Sequence, residues 1–108
     1  MPRIKKRYVL LTYSPDVIPK DILRSVLWNA YLSIPSRPSN FNNLLLPLQP
    51  GYVVFSIPYF LIEDFKIAVK EEFSKKGSEC DVILVSGTIR ALRKKAKTRL
   101  IANGYNHR

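Results

Sequence analysis

Apolar residues recur at every second position in some stretches of this chain and at helical intervals in others, and the switches between the two periods outline its elements. Tyr8–Tyr13 is dense in β-branched and aromatic side chains and stops at Ser14-Pro15-Asp16, a turn signal, so it reads as a strand. Pro19 suits a first helical position, and Asp21 then complements the helix dipole. Ile22, Leu23, Val26, Leu27, Ala30 and Tyr31 follow at helical spacing, which predicts an amphipathic helix over 19–32. Residues 34–43 hold two prolines among several Ser and Asn and read as a loop. Leu44–Leu48 is a short strand in which Pro47 suits a sheet edge. Pro50-Gly51 is a turn, and Tyr52–Ile57 a further strand. A second helix is expected over 59–75, with Ile62, Phe65, Val69 and Phe73 on one face and Gly77 supplying the left-handed residue that commonly ends a helix. Asp81–Val85 is the fourth strand. Ser86-Gly87-Thr88 then turns the chain into a last helix that stops near Asn103-Gly104.

The order β-α-β-β-α-β plus a C-terminal helix predicts an α/β (α+β) protein of the ferredoxin-like type, an antiparallel sheet with its two helices on one face. The final basic helix, 88–102, is extra to that plan. By alternation, Val53, Phe55 and Ile57 face the helices. Tyr52, Val54 and Ser56, beside Tyr8, Leu10 and Thr12, are left on an open face. Residues 1–108 form one domain, without internal repeat, linker or low-complexity stretch.

Composition changes the picture through charge. A hydrophobic fraction of 46% is enough for a core, so this is a folded chain and not a disordered basic tail. The net charge of +10 is unevenly placed. Residues 1–7 carry four bases and no acid, residues 88–108 carry seven bases and no acid, and the stretch between is close to neutral. A near-neutral globule with two basic ends points to a polyanion partner, because surfaces charged only for solubility intersperse both signs. Cys80 is the single cysteine, so no intrachain disulfide can form. The apolar run behind the basic start is too short for an export segment, and no stretch approaches the ~20 apolar residues of a membrane span. The expected location is cytoplasmic, with no membrane partner.

The last helix carries the most pointed pattern. Ile89, Leu92, Ala96 and Leu100 form an apolar stripe, and Arg90, Arg93, Lys94 and Lys97 form a cationic one at i, i+3, i+4 and i+7. Like charges on one face repel by a few tenths of a kcal/mol per pair unless neutralised, and a phosphate backbone neutralises them. Ser86, Gly87 and Thr88 add free N–H groups and two hydroxyls at a helix N-terminus, which is either an anion site or an ordinary cap.

Val85-Ser86-Gly87-Thr88-Ile89 with the basic run Arg90-Ala91-Leu92-Arg93-Lys94-Lys95 resembles the motif that closes the archaeal and eukaryotic ribonuclease P protein component 2 family. Lys6-Arg7-Tyr8-Val9 and the Leu27-Trp28-Asn29-Ala30 segment are similar to that family too, whereas region 34–48 does not match it residue by residue. The resemblance implies a non-catalytic protein subunit of an endonuclease ribonucleoprotein that removes the 5′ leader of precursor tRNA. Its implied partners are the ribonuclease P RNA, the precursor tRNA, the TIM-barrel-like protein component 3 and other ribonuclease P proteins. The RNA and its Mg²⁺ would do the hydrolysis, with no cofactor on the protein. The bases expected to touch RNA are Lys5, Lys6, Arg7, Arg90, Arg93, Lys94 and Lys97, with the turn Ser86, Gly87 and Thr88.

Two other readings share the fold. A stand-alone RNA-recognition or ribosomal module would stack bases on the open sheet face, but two tyrosines, Tyr8 and Tyr52, with an aliphatic where the signature places another aromatic, match it weakly. An acylphosphatase-like hydrolase would need an anion-cradling loop after the first strand, and Ser14–Ile18 lacks the arginine and glycines for one. No catalytic constellation is apparent. Cys80 lies between Glu79 and Asp81, which raise a thiol pKa, and the pairs Glu63-Asp64 and Glu71-Glu72 splay apart on a helix. His107 is the only histidine and takes no role; Trp28 reads as core or partner-facing.

Overall fold

The computed structural model describes residues 4–15 and 17–102, with side chains as far as residue 97. Arg3, Asp16, the side chains of Arg99 and Leu100, the helix stop at Asn103-Gly104, His107 and Arg108 lie outside the described residues. The elements are β1 (Lys6–Ser14), α1 (Lys20–Leu32), β2 (Leu45–Gln49), β3 (Tyr52–Pro58), α2 (Ile62–Lys75), β4 (Glu79–Ser86) and α3 (Ile89–Ala102), with a single 3₁₀ turn, Tyr59–Leu61, leading into α2. The strands form one sheet in the order β2-β3-β1-β4, every neighbouring pair antiparallel. The strand boundaries shift slightly from expectation, and the starts of the first two helices move as well. Pro19 is the extended N-cap of α1 and not its first turn, and its carbonyl accepts from Leu23 N–H at 2.9 Å. Residues 59–61 turn more tightly than an α-helix.

The alternation along β1 and β3 separates two apolar layers. Val9, Leu11, Val53, Phe55 and Ile57 pack with Leu23, Val26, Leu27, Ala30 and Tyr31 of α1 and with Phe65, Val69 and Phe73 of α2. Ile22, expected with that α1 face, is 45% exposed instead. Phe55 is the hub of this layer. Its ring stacks on Phe65 at 5.5 Å and meets Trp28 and Tyr31 in edge contacts at 5.9 and 6.3 Å, geometries aromatic pairs favour.

Local signals shape the ends. Gly77 has φ +72, its N–H donates to Ser74 O at 3.0 Å and Ser78 N–H donates to Phe73 O at 2.9 Å. That bond pair is a Schellman ending for α2. Gly51 has φ 90 in the tight turn between β2 and β3, which Pro50 opens. Before β2, the loop is tied to β3 through Ser56, whose hydroxyl accepts from Leu44 N–H at 2.6 Å and whose carbonyl accepts from Asn43 Nδ2 at 2.8 Å. Ser56 is therefore fully buried yet satisfied, where alternation alone placed it on an open face.

The second face is not open. Leu10 and Val54 have no exposure, and Leu92 and Ala96 of α3 pack on them, with Tyr8, Tyr52, Ile83 and Leu84 partly buried alongside. The chain reverses at Gly87-Thr88 and lays α3 back across β4 and β1. Helices thus cover both faces, α1 and α2 on one and α3 on the other. Truncating Leu92 to Ala should cost about 2–5 kcal/mol by urea unfolding, the range for emptying a buried leucine site. A loss below about 0.5 kcal/mol, the scale of an ordinary surface change, would mean that α3 does not seal this face.

Candidate nucleic-acid interface

Placing Leu92 and Ala96 against the sheet decides which way the rest of α3 points. Arg90, Arg93, Lys94, Lys95 and Lys97 are all exposed, while Ile89 and Ala91 are half-buried. The cationic stripe therefore faces outward along the helix, opposite its seat. No acid occupies its first turn. α2 differs: there Lys66 pairs with Glu63 at 3.4 Å and Lys75 with Glu72 at 3.1 Å, each one turn apart.

At the start of α3 both hydroxyls serve the backbone. Thr88 Oγ1 accepts from Ala91 N–H at 3.1 Å, and the Thr88 carbonyl accepts from Leu92 N–H at 3.0 Å, an N-cap arrangement. Ser86 is buried, and its Oγ takes a long 3.5 Å bond from Thr88 N–H. Gly87 and Thr88 are exposed. Of the two expected arrangements, the turn carries the helix cap, and Gly87 and Thr88 remain exposed.

The N-terminal bases come to the same place. Tyr8 pairs with Ser86 across β1 and β4, so Arg7 sits level with the turn, and its Nη1 lies 3.7 Å from where a Gly87 side chain would begin. Arg7 also donates from Nη1 to the Lys6 carbonyl at 3.1 Å. A guanidinium beside the positive end of a helix is unfavourable unless an anion shares the site. Lys5 is exposed. Lys6 is half-buried, its Nζ 5.7 Å from the centre of the Phe41 ring in a cation–π contact. Phe41 was not legible as part of this site, because it lies in an irregular loop with no period to read.

Cys80 is half-buried at the start of β4. Burial pushes its thiol up to about 12, Asp81 pushes the same way, and Lys70 opposes them. Burial also raises the Tyr31 phenol, against the opposing influence of Asn43 and Arg37. Trp28 packs on Phe55 yet is 40% exposed, opening on a groove of about 620 Å³ bordered by Arg24, Asn29, Asn43 and Leu44. Among the described residues no three His, Cys, Asp or Glu side chains gather as a metal site, and no helix is long and apolar enough to cross a membrane.

Compared with protein-family profiles and with curated proteins, the chain matches none.

The raised thiol pKa has a direct readout. A thiolate is the reacting species, so Cys80 in the folded protein should alkylate with iodoacetamide at pH 8 at least ~10-fold more slowly than in urea, where its pKa returns to roughly 8.5. The native rate should climb only as pH rises toward 12. Equal native and unfolded rates at pH 8 would contradict the burial described.

Proposed function

We propose that this chain is a non-catalytic RNA-binding subunit of ribonuclease P, supporting a catalytic RNA that cleaves the 5′ leader from precursor tRNA, on a ferredoxin-like domain. The observation that carries RNA binding is the union of the outward cationic side of α3 with Arg7 at that helix's N-terminus. Assignment to ribonuclease P rests on the resemblance of residues 85–95. The ferredoxin-like assignment draws on the β-α-β-β-α-β order and on β1 lying between β3 and β4.

On this reading the protein positions and neutralises RNA. Arg90, Arg93, Lys94 and Lys97 meet successive phosphates, Lys5 and Arg7 extend the track, and the exposed Gly87-Thr88 backbone contributes dipolar attraction at its centre. Mg²⁺ and the hydrolysis belong to the RNA. Protein partners of the complex, the TIM-barrel-like component among them, dock elsewhere on the surface. Base stacking on the sheet centre is the less favoured form of RNA binding, since Leu10 and Val54 are sealed under α3.

If about five phosphates are neutralised, log K for RNA should fall with log salt with a slope of roughly −3.5 to −4.5. Changing Arg90, Arg93, Lys94 and Lys97 together to Gln keeps helix propensity and removes the charge. This variant should melt like the parent, bind RNA weaker by roughly one to several orders of magnitude at moderate salt, and flatten the slope by about three units. In a reconstituted reaction with ribonuclease P RNA and its protein partner, precursor tRNA cleavage should fall and raised Mg²⁺ should partly restore it. A Glu71→Gln, Glu72→Gln control should match the parent. Full activity of the quadruple variant at low Mg²⁺ would overturn the reading, as would failure of the native protein to co-purify with ribonuclease P RNA.

A further inference from the structure

Pro58 ends β3, and the chain then makes the tight turn 59–61 before α2 begins. Because that turn is not part of the helix, its first two side chains escape the helix's buried face. Tyr59 and Phe60 are each 49% exposed, and their rings stand edge to face with centres 5.5 Å apart. Two large aromatic rings held together in water are a costly exposure unless something covers them.

Their neighbourhood says what kind of cover fits. Tyr59 N–H donates to the Lys5 carbonyl at 2.9 Å, and Lys6 pairs with Pro58, so the aromatic pair stands at the end of the sheet where the N-terminal bases begin. One strand over from β1, β4 ends at Ser86 beside Arg7. β3 and β4 flank β1, so Tyr59 and the turn that begins α3 lie at the same end of the sheet, two strands apart. Glu63 and Asp64 are the acids nearest along the chain, and Lys66 holds Glu63 at 3.4 Å. Aromatic faces next to a cationic track are the combination that binds unpaired nucleic acid, stacking for the bases and charge for the phosphates. An apolar protein partner would gain nothing from the bases at this end of the sheet.

We propose that Tyr59 and Phe60 form a stacking step for unpaired nucleotides, continuing the phosphate track of Arg7 and α3, so that this end of the sheet selects single-stranded over paired RNA. The proposal rests on the RNA-binding reading above. A duplex keeps its bases stacked on one another and offers phosphates alone. A single strand can offer both, and the rings would capture a base as the backbone passes Lys5.

The test uses the full chain with two probes, a short unstructured oligoribonucleotide and an RNA duplex with the same number of phosphates. Tyr59→Leu with Phe60→Leu keeps apolar bulk and removes the aromatic faces; Tyr59→Trp with Phe60→Trp keeps them. Because both rings are half exposed, thermal melts of each variant should stay close to the parent's, and Phe60→Leu alone serves if the double change unfolds the chain. The Leu pair should lose roughly 5- to 150-fold in affinity for the single strand, the range for one stacked base, with duplex affinity and both salt slopes unchanged. The Trp pair should bind the single strand at least as well as the parent. Equal loss on both probes, or parental affinity of the Leu pair for the single strand, overturns the stacking step while leaving the salt-dependent track intact; the second outcome would assign the pair to a protein contact. A parent that binds neither probe in a salt-dependent way overturns the RNA-binding reading and this proposal together.

Discussion

Leu92 and Ala96 rest on Leu10 and Val54, and this small apolar contact settles the orientation of the most highly charged element in the protein. β1 is the strand it seals. Val9, Leu10 and Leu11 have no exposure, because one side of the strand is closed by α1 and α2 and the other by α3. A sheet open on one side would leave a hydrophobic strip of Leu10, Val54 and Leu84 in water. At roughly 25 cal/mol per Å² of apolar surface, covering even part of that strip outweighs the mutual repulsion of a few exposed bases on a helix. Seating α3 is favourable despite its charge, and the seat turns the charge outward.

The contrast between α2 and α3 is what the proposal of a binding surface rests on. Both helices have one apolar side. On α2, Glu63–Lys66 and Glu72–Lys75 neutralise each other one turn apart, so the exposed side is electrically quiet. On α3 no acid stands in the first turn, and Arg7 arrives beside its N-terminus from another strand. Two independent parts of the chain add positive potential at a helix end that is already positive. Phosphate groups lower that energy, and they do so while releasing counterions. The proposed stacking pair lies at the border of the same field and would supply what charge alone lacks, a preference among RNA conformations.

Much of this was legible in the sequence because it is local. Strand alternation put Val53, Phe55 and Ile57 on the helix side, and helical spacing put Phe65, Val69 and Phe73 inward. Gly77 marked a helix end through the one backbone conformation that favours glycine, and Pro47 marked the edge strand. The opposition of Leu92 and Ala96 to Arg90, Arg93, Lys94 and Lys97 followed from 3.6 residues per turn, and so did the outward direction of the bases once the apolar side was seated.

Tertiary structure decided which distant segments meet. Nothing in the period of α3 says that it folds back over β4 and β1, so the open face expected around Leu10 and Val54 is closed. Ser56 sits on that face by alternation, yet it is buried because the loop at Asn43 and Leu44 binds it across 12 residues of chain. Arg7 reaches Gly87 because Tyr8 pairs with Ser86 across the sheet, a long-range match that no local pattern encodes. Tyr59 and Phe60 read as the first turn of a helix and are exposed because the chain makes a tighter turn after Pro58. Periodicity records what each segment prefers against its own neighbours in sequence, whereas these placements depend on which apolar surfaces are left uncovered once the sheet has formed.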